Sequence, residues 1–496
     1  MVVVALALLA FPASAHAQPS CSRVVVFTLP GIAWEHVARY EPPNILSAVA
    51  DGAAGSISVR TNSPRTSYAS GFATLGARAR LDGGDTTGGA LEVSDRSRDL
   101  FVSDVTVAGL EEMTELAERA GYQAVPGALA SALGFIPVHA VGNADLAVPL
   151  PVGARPGRWT LVAAMDASGV VDRAAVGTSL LDVPDLLPPP GVTPAAPRDL
   201  PSVPRTDPAA FEAAIDDALA SDCGVTVIDH GDLTRADQVP LVAGASVDDG
   251  RAVALAAADD ALGQVRDRLQ PARDLLLVVS PTSPLHERAT HFGVAIAVGP
   301  EFPAGTSLTS PATRRAGMVT LPDVAPTVLA HLDIERPPEM RGRAFSTVEA
   351  NADRRIANAL ELDRESVFVD RVRAPIWSGY VAAELLVYGG IAFLLWRGRA
   401  ALRAGRARPE WLEGAALALL AFPLATFLIG IVSGHRLGTV GYVGALVAID
   451  LAVVLLAWWW GSDARARLLV VAAATCLVLL GDLVLGSRLQ LNTVFS

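Results

Sequence analysis

Asp274-Leu-Leu-Leu-Val-Val-Ser280 is a short apolar run that stops at Pro281, and together with the residues after it this run decides the fold. A run of this length with no polar alternation predicts a strand buried on both faces, the kind found in parallel sheets. It ends in Ser280-Pro-Thr-Ser-Pro284, and a second apolar run, Val294-Ala-Ile-Ala-Val298, leads to Gly299-Pro300. The chain then reaches Leu321-Pro-Asp-Val-Ala-Pro-Thr-Val-Leu329, where Asp323 can cap a helix that Pro326 helps to start. Glu339-Met-Arg-Gly-Arg343 closes the stretch before Phe345.

Upstream, strand and helix alternate in the same way. Residues 22–31 predict a buried strand and turn, and residues 43–50 a helix closed by Gly52. Residues 109–120 predict a Glu-rich amphipathic helix with Gly121 behind it, then a strand near 122–125, with further short apolar runs at 137–141 and 159–165. Asp207-Pro208 starts a helix over 209–220. The strand Val225-Thr-Val-Ile228 runs into Asp229-His-Gly-Asp232, and a helix over 251–269 leads back to the opening strand. Between these lie a Gly- and Asp-rich surface loop at 82–99 and a proline-dense excursion at 184–208. The alternation predicts an α/β domain, a mostly parallel sheet sandwiched by helices, with functional loops at the strand C-terminal ends.

At 496 residues the chain has room for more than one domain, and its apolar residues concentrate in the last quarter. Four segments there, 376–396, 411–433, 438–461 and 468–486, each approach the roughly 20 residues that cross a bilayer. They predict an α-helical transmembrane domain over 373–496, and the lipid bilayer is therefore a partner. Arg397, Arg399, Arg403, Arg406 and Arg408 come after the first span, and Arg465 and Arg467 after the third, whereas the other flanks carry only Arg436 and Arg488. That arginine excess places those two loops in the cytoplasm and residues 18–372 outside. Residues 1–17, an apolar run closed by Ala15-His-Ala17, have the shape of a signal peptide and agree with export. Trp377, Trp411 and Trp458-Trp-Trp460 suit interfacial anchors. Glu384, Asp450 and Asp482 fall inside the spans, where a carboxylate is costly and needs a polar path, a partner or a proton. The sequence stops at Ser496 with no closing element, as a piece of a longer membrane protein would. A net charge of -12 argues against a nucleic-acid surface. Cys21, Cys223 and Cys476 lack metal-site spacing, and at most Cys21 and Cys223 can pair.

The succession from Asp274 to Phe345 resembles the C-terminal part of the alkaline phosphatase-like superfamily, in which an Asp-x-x-Pro-Thr helix start and a Met-x-Gly-x turn come after a metal-binding strand end. The resemblance implies a metal-binding Asp at the end of the first strand, where this chain has Pro30, and an Asp-His pair where it has Pro281 and Thr282. It also implies a His four residues after Asp229, where Leu233 stands. Asp229 remains as a metal candidate, and His291 precedes an apolar run much as the family's last metal-binding His does. Thr66 and Ser67 occupy the place of the catalytic nucleophile; as capping and turn residues, they and Ser63 are equally at home there. A structural role for Asp229 and His230 is weighed above ligation, His286 is within reach of the end of the 274–280 strand, and His331 reads as structural. The whole arrangement resembles actinobacterial envelope proteins with an alkaline phosphatase-like ectodomain and a helical membrane domain.

Three functional classes are compatible with these residues. The first, favoured because expected ligands are missing, is a membrane-tethered pseudoenzyme that binds envelope components or organises other membrane proteins, with no resident cofactor. The second is an active phosphatase, phosphodiesterase or phospho-group transferase with altered ligands, using zinc or manganese. The third is an accessory part of an envelope transport or export system.

Overall fold

The computed structural model describes residues 22–63, 65–84, 100–147, 156–182, 204–238, 247–287, 289–397, 410–431, 434–484 and 489. The expected signal peptide, Cys21, most of the 82–99 loop and of the 184–208 excursion, the arginines from Arg399 to Arg408 and the last seven residues lie outside them.

In chain order the elements are β1 (Arg23–Thr28), α1 (Trp34–Tyr40), α2 (Pro43–Asp51), β2 (Ala53–Ser58), α3 (Tyr68–Gly76), β3 (Val102–Thr106), α4 (Leu110–Ala120), α5 (Ala128–Leu133), β4 (Val138–Val141), α6 (Trp159–Ala164) and β5 (Val170–Ala175). Next come β6 (Leu181–Asp182), β7 (Arg205–Thr206), α7 (Pro208–Ala218), β8 (Gly224–Asp229), α8 (Asp232–Gln238), α9 (Val247–Arg268), β9 (Leu275–Val279) and β10 (Gly293–Val298). They are succeeded by β11 (Ser307–Thr309), β12 (Met318–Thr320), α10 (Val324–His331), β13 (Ser346–Val348), α11 (Arg355–Arg397), α12 (Glu410–Leu428), α13 (Gly434–Trp460) and α14 (Ala464–Val484).

Among the described residues, eleven strands form one mixed sheet in the order β13-β11-β12-β2-β10-β9-β1-β8-β4-β5-β3. Its middle, β9-β1-β8-β4-β5, is parallel; β9, β1, β8 and β4 fall on the apolar runs, whereas β5 was not foreseen. β10 departs from that rule and runs antiparallel between β9 and β2. Strand residues alternate between two cores. Val24, Val26, Leu275, Leu277 and Val279 point to one, while Val25, Phe27, Leu276 and Val278 point to the other. Burying a side chain of this size contributes about 1.5 to 3 kcal/mol, so an unbroken apolar strand is stable only with helices on both faces.

Three expectations are corrected. Residues 122–125 form no strand, because Gly121 (φ 70°) and Gln123 (φ 53°) both take left-handed backbone that no extended strand accommodates. The apolar run 159–165 is mainly the buried helix α6, a run too short for periodicity to separate helix from strand. Asp323 does not cap α10; its carboxylate instead accepts from Thr320 N and Oγ1, Ser310 Oγ and Arg343 N, tying the Met-x-Gly-x turn to the helix start.

Among the described residues, four helices are long and apolar enough to cross a membrane. The first is the C-terminal part of α11, a continuous helix of 43 residues that spans about 65 Å at 1.5 Å per residue. Its N-terminal turns pack Ile356, Ala359 and Leu360 against the α/β core, and Phe368, Val369 and Val372 pack on Tyr442 and Leu446 of α13. α13 is interrupted at Gly438 (φ 66°), where the third span was expected to begin.

Candidate functional site

Three strand ends meet where β1, β8 and β9 finish. After β1 the chain turns through Leu29-Pro30-Gly31, and Gly31 N–H lies 3.1 Å from Thr282 Oγ1 and 3.2 Å from Thr282 O. Thr282 is fully buried, so its hydroxyl serves this backbone contact. Gly31 is left-handed (φ 70°), and a Cβ there would sit 3.2 Å from Asp237 Oδ2. Helix α3 lies on the end of β9 so closely that a Cβ on Gly71 would come within 2.4 Å of Pro281 O. That approach carries Tyr68, the first residue of α3, into the middle of the site.

Tyr68 Oη donates to Asp237 Oδ2 at 2.9 Å, Leu285 N donates to the same oxygen at 3.0 Å, and Arg251 Nη2 donates to Asp237 Oδ1 at 2.7 Å. Arg251 and Asp237 are both buried. The guanidinium also reaches His36 Nε2 at 3.0 Å and lies 3.8 Å from Glu287 Oε1. Burial, reinforced by Arg251, lowers the His36 pKa to about 4 and keeps the ring neutral, while Nδ1 accepts from Ala33 N. Burial, with Asp237 beside it, pushes the Tyr68 phenol well above its ordinary value. On the far side His291 lies between two carboxylates, Nε2 at 2.5 Å from Glu287 Oε2 and Nδ1 at 2.7 Å from Asp363 Oδ2. Burial opposes its charge, but the bonds to Asp363 and Glu287 prevail and raise its pKa to about 10.

Thr66 is buried, and its hydroxyl donates to Val59 O at 2.6 Å at the end of β2. Ser67 is exposed and caps α3, its Oγ accepting from Ser70 N at 3.1 Å. Asp229 is buried at the end of β8 with Oδ1 unpartnered, and burial lifts its pKa to about 7. His230 packs edge-on against Phe211, and burial lowers its pKa to about 4. Asp229 and His291 are not brought into one group. Among the described residues, the cluster whose metal-capable atoms lie within 4.8 Å of one another is Glu35, Glu287 and His291. His286 bonds through its ring to Asp237 O, and His331 bonds to Ser22 and Glu301. Sequence reading missed Glu35, His36, Asp237, Arg251, Glu287 and Asp363. Arg251 alone carried a signal, since it shares the buried face of α9 with Leu255, Ala258 and Leu262.

Among the described residues, few donors for a pair of metals are free at the strand ends. Pro30 and Leu233 offer no donor, the Thr282 hydroxyl is engaged with Gly31, and Asp237 accepts from Tyr68, Leu285 and Arg251. A buried guanidinium compensates the carboxylates here.

Within the membrane helices Glu384 is half-buried, and Asp450 is 8% exposed with Oδ1 unpartnered. Asp482 is also buried; its Oδ1 accepts from Leu489 N at 2.9 Å, and its Oδ2 has no partner. Mid-span carboxylates cost roughly 2.5 to 3.5 kcal/mol on insertion scales, so Asp450 at a helix interface calls for a role. Asp450→Leu is expected to lower assembly or activity, read as loss of folded protein or of the cell phenotype. Unchanged folding and phenotype would remove that role.

No protein-family model matches the sequence, and neither does any curated protein. Among solved structures, the chain is similar to a protein in the alkaline phosphatase superfamily from Vibrio parahaemolyticus, at 12% identity over 66% of this chain and 70% of that one, with a TM-score of 0.33. It is similar to murine ectonucleotide pyrophosphatase/phosphodiesterase 5, at 12% identity over 64% and 96%, with a TM-score of 0.34. It is also similar to a 2-O GAG sulfatase, at 10% identity over 66% and 73%, with a TM-score of 0.36.

Proposed function

We propose that the protein is an integral membrane protein whose outer, alkaline phosphatase-like domain has lost two-metal catalysis and acts by binding or organising components of the cell envelope. The observation that carries this reading is the filling of the strand-end site by Thr282 against Gly31 and by the buried Tyr68–Asp237–Arg251 network. A two-metal hydrolase needs several ligands converging on ions about 3.5 to 4 Å apart, with a hydroxyl held as alkoxide. Thr66 is turned to β2 and Ser67 caps its helix, so neither hydroxyl is supplied with such a partner. The purified full chain, given zinc or manganese, is expected to hydrolyse activated phosphate mono- and diesters no faster than background. Turnover abolished by Thr66→Ala or Ser67→Ala would restore the phosphatase or phosphodiesterase reading.

The domain division of this reading is residues 18–372 outside and 373–496 in the membrane. Arginine distribution and the disulfide at Cys223 both support an outer domain in an oxidising compartment. A cysteine placed between Arg397 and Arg408 is expected to resist an impermeant thiol reagent in intact cells and to react after permeabilisation. Labelling in intact cells would invert the orientation.

A further inference from the structure

We propose that Glu35, Glu287 and His291 bind one divalent d-block cation of the zinc or manganese class, which fastens the outer domain to the first membrane-spanning helix. One imidazole and two carboxylates form a donor set suited to such ions, with coordination positions left for water. Their ligand atoms already lie within 4.8 Å of one another. The imidazole is held in the orientation that ligation requires. Asp363 Oδ2 sits 2.7 Å from Nδ1, which holds a proton on Nδ1 and aims Nε2, whose proton a bound ion would replace, at Glu287. Asp363 is itself fixed by Phe292 N, which donates to its other oxygen at 2.7 Å.

The charge balance points the same way. Among the described residues, Asp237, Glu287, Asp363 and Glu35 face the cations Arg251 and His291, an acidic excess that a divalent ion in place of the Nε2 proton would reduce. Glu35 is exposed, which gives an ion a route from solvent, whereas His291 is buried. The three ligands join α1 to the β9–β10 loop. Asp363 lies on α11, as does Asp370, which accepts from Thr290 N at 3.0 Å. An ion bound here thus braces the loop against the helix that continues into the bilayer. Neither Glu35 nor Glu287 stands at a ligand position implied by the superfamily resemblance, and Asp229 takes no part.

The test uses the tag-free full chain in detergent, stripped by chelation and titrated with Co2+ as a spectroscopic probe. One equivalent is expected to produce visible d–d bands that Zn2+ competes away. His291→Ala should abolish them, and Glu35→Gln, at an exposed position that leaves the core intact, should weaken binding by about tenfold or more. Asp229→Asn should leave the bands unchanged. A folded wild-type chain without bands, bands that persist in both Glu35→Gln and His291→Ala, or bands lost in Asp229→Asn would overturn the proposal.

Discussion

Arg251→Leu is expected to destabilise the α/β domain by about 3 to 5 kcal/mol, the usual cost of removing one partner from a buried ion pair. Arg251 is 5% exposed and supplies the charge that faces Asp237 at 2.7 Å and Glu287 at 3.8 Å. Leucine matches the apolar face of α9 but leaves Asp237 with only Tyr68 and Leu285 as donors. The loss should appear as a lower melting temperature of the detergent-solubilised chain and as faster amide exchange in α8 and the β9–β10 loop. Arg251→Leu combined with Asp237→Asn should recover part of the loss, because the two sites share one interaction. A melting temperature unchanged by Arg251→Leu would mean that the guanidinium is not the counter-charge assigned to it.

Asp229→Asn is expected to stabilise the α/β domain, by on the order of 2 to 4 kcal/mol above pH 7. Burial raises the folded pKa of Asp229 from 3.8 to about 7. The unfolded carboxyl ionises near 3.8 and the folded one near 7, so the folded state loses stability as pH rises between them. The loss is complete above about pH 7 and absent below the unfolded pKa. Asparagine carries no charge to desolvate, so the difference in melting temperature between variant and wild type should grow from about pH 4 to about pH 7 and then level off. A carboxylate that ligates a metal would behave in the opposite way, and its amide would melt lower at neutral pH.

The parallel block of the sheet was legible because Val24 to Phe27 and Leu275 to Val279 are apolar on both faces, a pattern that few other environments produce. The membrane helices were legible for the same reason, length combined with continuous hydrophobicity. β3 was not, since Val102-Ser-Asp-Val-Thr106 is a polar, half-exposed edge strand resembling a loop in composition. The candidate site was legible as His291 and as the positions Pro30, Leu233, Pro281 and Thr282, where the resemblance implied donors. Its other charged members are scattered from Glu35 to Asp363, and each looks alone like an ordinary surface charge. Only tertiary packing brings Arg251 to Asp237 and Asp363 to His291. The length of α11 was also hidden, because its polar first half packs on the α/β core and its apolar second half forms the span.

The most direct measurement is the zinc content of the full chain after loading with excess metal and removal of free ion, compared between wild type and Asp229→Asn. In the proposed reading, Thr282 and the Tyr68–Asp237–Arg251 network occupy the strand ends in place of a pair of ions. No more than one equivalent is expected, with the same value in the variant. Two equivalents in the wild type, with at least one lost in Asp229→Asn, would contradict it.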